Sequence, residues 1–143
     1  MTDRLTRLPQ VQVPVLRLED ALLVTIQGDL QDTSAERLQA DVLRHVAENP
    51  TAAVIIDISA VEVVDSFLGR VLAEIAAGAG LLAAQTIVVG MRPSVAITMV
   101  ELGLSLPGVR TARDLQSSLS MLRESPASVH ERGERGLDDT HRY

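Results

Sequence analysis

Residues 53–68 decide the fold: Ala53-Val-Ile-Ile-Asp-Ile58, followed by Ser59-Ala-Val-Glu-Val-Val-Asp-Ser-Phe-Leu68. The first six form a continuous, mostly β-branched run, the pattern of a central strand covered on both faces. A short loop, Ser59 to Asp65, then leads into a helical period of Leu68, Val71, Leu72, Ile75, Ala79 and Leu82. Gly78 and Gly80 fall late in that period, each costing ~1 kcal/mol against alanine, so the helix end is left open by the pattern. A buried strand feeding an amphipathic helix is the repeating unit of an α/β sheet.

On the N-terminal side, Pro14 marks an extended segment, Val13 to Leu18, and Glu19-Asp20 reads as a tight turn. Ala21 to Ile26 is the next strand, and so short a link makes the two strands antiparallel neighbours. Asp32-Thr33-Ser34 precedes a helical stripe of Ala35, Leu38, Val42 and Val46, where Thr33 and Glu36 have capping-box spacing. Asn49-Pro50 stops that helix. On the C-terminal side, Thr86 to Val89 is a strand, Pro93 opens a third helix and Gly103 caps its end. Val109 to Thr111 is a short edge strand, and Asp114 caps a last helix through Leu115, Leu119 and Leu122. The order predicts one α/β domain with a mixed, mostly parallel sheet, an antiparallel N-terminal strand pair and about four helices. Residues 12–123 form that domain. Residues 1–11 read as a flexible head and 124–143 as a polar, disordered tail with no periodic apolar face.

At 143 residues, 46% hydrophobic and 22% charged, the chain is long enough to bury a core of its own. Cysteine is absent, which removes disulfides, thiolate metal sites and thiol nucleophiles. All 13 basic residues are arginine, so no lysine can form a Schiff base or hold a phosphate. A net charge of −6 and only two aromatics, Phe67 and Tyr143, argue against nucleic acid as a partner. No apolar run approaches the ~20 residues of a membrane span and the first dozen residues carry no signal core, so the expected compartment is the cytoplasm. His45 sits in the first helix and His130 and His141 in the tail, in no metal-ligand spacing, so neither a metal nor a cofactor is expected. A phosphoaspartate receiver would use Asp57, but the lysine such a site needs does not exist here. Asp57 is therefore read as a strand-end residue that bonds neighbouring backbone.

The remaining constellation is Glu62, Asp65, Ser66 and Phe67, where the chain enters the second helix. Ser66 has two readings. As an N-cap its hydroxyl accepts from free N–H groups of the first turn, worth ~1 kcal/mol. As a phosphorylation site it would carry about −1.5 to −2 charges, tolerated by the helix N-terminus but repelled by Asp65, Glu62 and any acidic partner. One serine can serve both.

Asp57-Ile-Ser-Ala-Val-Glu-Val-Val-Asp-Ser66-Phe-Leu resembles the signature of STAS domains, the anti-sigma factor antagonists, and within them the RsbS-like stressosome members. Val13-Pro-Val-Leu-Arg-Leu18, Val89-Gly-Met-Arg-Pro-Ser-Val-Ala-Ile-Thr98 and Glu101-Leu-Gly-Leu104 extend the likeness over roughly residues 12 to 123. The resemblance implies a non-catalytic stressosome scaffold with the STAS fold that needs no cofactor. It implies an RsbT-like serine/threonine switch kinase as partner, RsbR-like STAS paralogues in a homo- or hetero-oligomer, and a phosphatase that resets the site. Ser66 is the implied phosphoacceptor, with Glu62, Asp65 and Phe67 as partner contacts. Thr33 and Ser34 lie where RsbR-like proteins carry a second phosphorylatable position, but the capping-box spacing assigns them as helix caps. Two alternatives stay open: an antagonist that binds an anti-sigma kinase directly, and a small-ligand-binding α/β domain. Arg70, one turn after Ser66, is within reach of a phosphate there, but a solvated pairing with Glu74 is the preferred reading.

Overall fold

The central run becomes the middle strand of a five-stranded sheet. In the computed structural model, which describes residues 13–28 and 32–124, β3 (Ala53–Asp57) is flanked by β2 (Ala21–Thr25) and β4 (Gln85–Val89). β1 (Val15–Leu18) and β5 (Val109–Ala112) form the edges, giving the order β1-β2-β3-β4-β5. β1 runs antiparallel to β2 with Leu18 opposite Ala21, a two-residue link in which Glu19 takes a left-handed φ of 56°. Every other pair is parallel. The expected single α/β domain is what forms. Its first strand begins at Val15 rather than Val13, and the second ends at Thr25. The expected head and nearly all of the expected tail lie outside the described residues.

Alternation along β3 explains why its sequence is apolar throughout. Val54 and Ile56, with Leu22, Val24 and Val88, point to one face, and Ala53 and Ile55, with Ile87 and Val89, to the other. Helices α1 (Asp32–Glu48) and α2 (Ser66–Leu81) cover the first face through Leu38, Val42, Leu72 and Ile75. The short helix α3 (Pro93–Glu101) adds Val95 and Met99 to the same core. Helix α4 (Leu115–Arg123) covers the other face with Leu115, Leu119 and Leu122. Asp114 caps α4 as expected, its Oδ1 accepting from the Ser117 N–H at 2.7 Å. Gly103 follows the end of α3 with φ 68°.

Two helix boundaries differ from expectation. α1 already includes Asp32, so Thr33 and Ser34 lie within its first turn instead of preceding it as caps. Thr33 is exposed and Ser34 half-buried. α2 runs through both of its late glycines to Leu81, and Gly78 serves a packing purpose. A Cβ there would sit 2.8 Å from Leu43 Cδ2, so the glycine sets how closely α1 and α2 approach.

Candidate functional site

The carboxyl ends of the parallel strands converge on the Ser59–Asp65 loop. Asp57, at the end of β3, accepts from the Ser59 N–H at 2.8 Å through Oδ1, the strand-end role expected of it. The Val61 N–H donates to the Ile58 carbonyl at 2.9 Å, which turns the chain. Val61 and Val64 are buried in the core and hold the loop down. Between them Glu62 and Val63 face outward, and Val63 is 76% exposed. Beside them lies a shallow hollow of about 310 Å³ lined by Gly28, Ala60, Glu62 and Val63.

The β4–α3 turn braces this loop from the side. Arg92 Nε donates to the Ser59 carbonyl at 2.9 Å, and its Nη1 lies 3.8 Å from Glu62 Oε1. Both side chains are well exposed, so the ion pair adds little and the hydrogen bond to backbone is the stronger tie. The turn comes this close because residue 90 is glycine. It sits at φ 74°, and a Cβ would lie 2.8 Å from Ser59 Cβ and 3.0 Å from Asp57 Oδ1.

At the entry to α2 the N-cap is Asp65, not Ser66. The Asp65 backbone is extended, and its Oδ1 accepts from the Leu68 N–H at 2.9 Å. Aspartate is the better choice at the positive end of the helix because it brings a charge as well as an acceptor. Ser66 is therefore the first helical residue, exposed, with its hydroxyl not required for capping. Phe67 is half-buried and packs on the core cluster that includes Leu68. The expected Arg70–Glu74 pair does not form. Glu74 Oε2 instead takes a hydrogen bond from Gln39 Nε2 of α1 at 2.7 Å, and the Arg70 guanidinium carbon lies 5.5 Å from the centre of the Phe67 ring. Glu62, Val63, Asp65, Ser66 and Arg70 are all exposed, in the loop before α2 and its first turns. Thr33 and Ser34 belong to the start of α1.

Residues 12–117 match the family model described as the STAS domain. The chain belongs to the STAS-domain family. Among solved structures, this STAS domain is similar to a serine-to-glutamate variant of RsbS from Moorella thermoacetica. The identity is 39% over 80% of this chain and 97% of that one, with a TM-score of 0.70. It is also 40% identical to a chain in the molecular architecture of the stressosome, described as a signal integration and transduction hub. That match covers 78% of this chain and 96% of the other, with a TM-score of 0.68. It is 27% identical, over 82% of its length, to the RsbT co-antagonist protein RsbRA of Bacillus subtilis (strain 168). The match takes in 43% of that relative, so the chain spans about two fifths of its length. The STAS domain is accordingly RsbS- and RsbR-like. Among the described residues no three His, Asp or Glu side chains gather as metal ligands, and no helix is long and apolar enough to cross a membrane.

Two features of this surface were not assigned from the sequence: the Arg92 brace and the Arg70–Phe67 contact. Phe67 and Arg70 stand three apart on a helix, a spacing that signals contact. Arg92 is 33 residues from Ser59 and gives no local signal.

Proposed function

We propose that this STAS domain is an RsbS-like stressosome scaffold of the cytoplasm that holds an RsbT-like serine/threonine kinase until Ser66 is phosphorylated. It assembles with RsbR-like STAS paralogues, and a phosphatase resets it. The observation that carries the reading is the division of labour at the start of α2: Asp65 caps the helix, leaving Ser66 exposed and dispensable for the fold. The likeness to RsbS and to a stressosome chain supports a stressosome setting for it.

The chemistry is a phosphoryl transfer. The kinase moves the terminal phosphoryl group of ATP to Ser66 Oγ, the hydroxyl proton leaves and ADP is released. The phosphatase later uses water to return serine and inorganic phosphate. The modification adds about −1.5 to −2 charges beside Asp65 and Glu62. The α2 N-terminus favours that charge, so the domain stays folded. A partner docked on Val63 and Phe67 instead meets a dense anionic rim and is expelled.

The test is affinity capture with wild-type, Ser66→Ala and Ser66→Asp baits, followed by identification of the retained proteins. An RsbT-like kinase is expected on the first two and should be lost from the third. Equal retention on all three overturns the charge switch. Mixing with an RsbR-like paralogue should also give a large particle; a persistent small species would instead support an antagonist that binds an anti-sigma kinase directly.

A further inference from the structure

We infer that Arg70 is a two-position side chain, lying on the Phe67 ring while Ser66 is unmodified and moving onto the phosphate when Ser66 is phosphorylated. The inference rests on Ser66 being the phosphoacceptor and adds how the charge is read out. Arg70 stands three residues after Phe67 and four after Ser66 on α2. Helical side chains lean toward the N-terminus, so both neighbours are within its reach on one face. In the unmodified protein it takes the ring, 5.5 Å from the centroid. The nearest carboxylates on α2 make their hydrogen bonds elsewhere. Glu74 accepts from Gln39 Nε2, and Asp65 Oδ1 accepts from the Leu68 N–H. Ser66 and Arg70 are both exposed.

The chemistry favours the exchange. A solvent-exposed guanidinium over a half-buried phenyl ring is a weak electrostatic contact. A phosphate monoester offers two oxygens to the guanidinium fork in parallel, charge-assisted hydrogen bonds. Phosphorylation then changes the docking face twice. It adds a dianion at Ser66 and withdraws the cation that covers the ring of Phe67, the only phenylalanine in the chain. A partner that recognises the Arg70-covered ring loses both its contact and its charge complement.

That single phenylalanine makes the test clean. Phosphoserine is installed at position 66 during translation, so no kinase is needed, and phenylalanine is ring-labelled with carbon-13. Four proteins are compared by NMR: unmodified and phosphorylated, each with Arg70 or with Arg70→Gln. The Phe67 ring signal should move on phosphorylation, and Arg70→Gln alone should move it in the same direction. In the Arg70→Gln background the phosphorylation-induced change should be roughly halved or less. Phosphorus-31 titration should place the phosphoserine at lower pH with Arg70 present than in the Arg70→Gln variant, with Asp65, Glu62 and Arg92 the same in both. Equal ring shifts in both backgrounds with matching phosphate titrations overturn the inference. Failure of the phosphoacceptor reading looks different: a kinase leaves Ser66 unmodified, while the installed phosphoserine still draws Arg70 from the ring.

Discussion

Asp65 and Ser66 are adjacent and both are good capping residues, so alanine substitution separates their roles. Asp65→Ala removes a 2.9 Å hydrogen bond to the Leu68 N–H and a negative charge at the start of a 16-residue helix. Loss of the cap costs about 1 kcal/mol and loss of the charge about 0.5 kcal/mol, together about 1.5 kcal/mol. For a domain of this size that lowers Tm by roughly 4–8 °C. Asp65→Asn keeps the acceptor oxygen and should lose only about 0.5 kcal/mol. Ser66→Ala replaces an exposed first-turn serine with a better helix former and should change stability by less than about 0.5 kcal/mol. The assay is urea unfolding followed by far-ultraviolet circular dichroism, with all variants compared at one m-value. If Ser66→Ala costs as much as Asp65→Ala, the serine is the cap and is not free to be a switch.

Two further substitutions probe the surroundings. Gly90→Ala forces a left-handed φ on a residue with a Cβ and drives that Cβ against Ser59 and Asp57, so it should cost about 2–4 kcal/mol in urea unfolding. A cost below about 1 kcal/mol would show that the β4–α3 turn is not held against the loop. At Asp114, the backbone N–H of Ser117, aided by the Ser117 side chain and the Arg113 guanidinium, holds the carboxyl below its ordinary range. A depressed folded-state pKa gives stability that is present above the unfolded value and is lost as pH falls through the folded one. Wild type should therefore lose stability relative to Asp114→Asn on acidification below about pH 4. Urea midpoints compared at neutral and strongly acidic pH check this, and a constant difference would contradict it.

The sheet was legible because β3 needs apolar residues on both faces, and its run is too short for a helix that buries the same composition. The Glu19-Asp20 link made the first pair antiparallel on length alone. What periodicity cannot do is place a cap to within one residue. Asp65-Ser66 offers two cap residues in sequence, and only the extended backbone of Asp65 and its bond to Leu68 decide between them. Thr33 and Glu36 show the converse, a good capping-box spacing that falls inside the first turn of α1. Gly78 reads locally as a helix weakness, whereas its function lies in α1, at Leu43. Glu74 likewise finds its partner across the α1–α2 interface and not in its own helix, because Gln39 places an amide 2.7 Å away. At Gly78 and Glu74 a tertiary contact prevails over a local pattern. Glu62, Asp65, Ser66 and Phe67 were singled out from the sequence as a candidate surface, but the bracing of that loop by Arg92 was not.

The central claim is that Ser66 carries a phosphate that ends kinase binding. The most direct measurement incubates the purified chain with an RsbT-like kinase and ATP, maps phosphate by tandem mass spectrometry and follows the complex by size-exclusion chromatography. Phosphate is expected on Ser66 and not on the Ser66→Ala variant, with separation of the kinase as modification proceeds. Phosphate on Thr33 or Ser34 with Ser66 unmodified, or a kinase that stays bound to the fully phosphorylated chain, would contradict it.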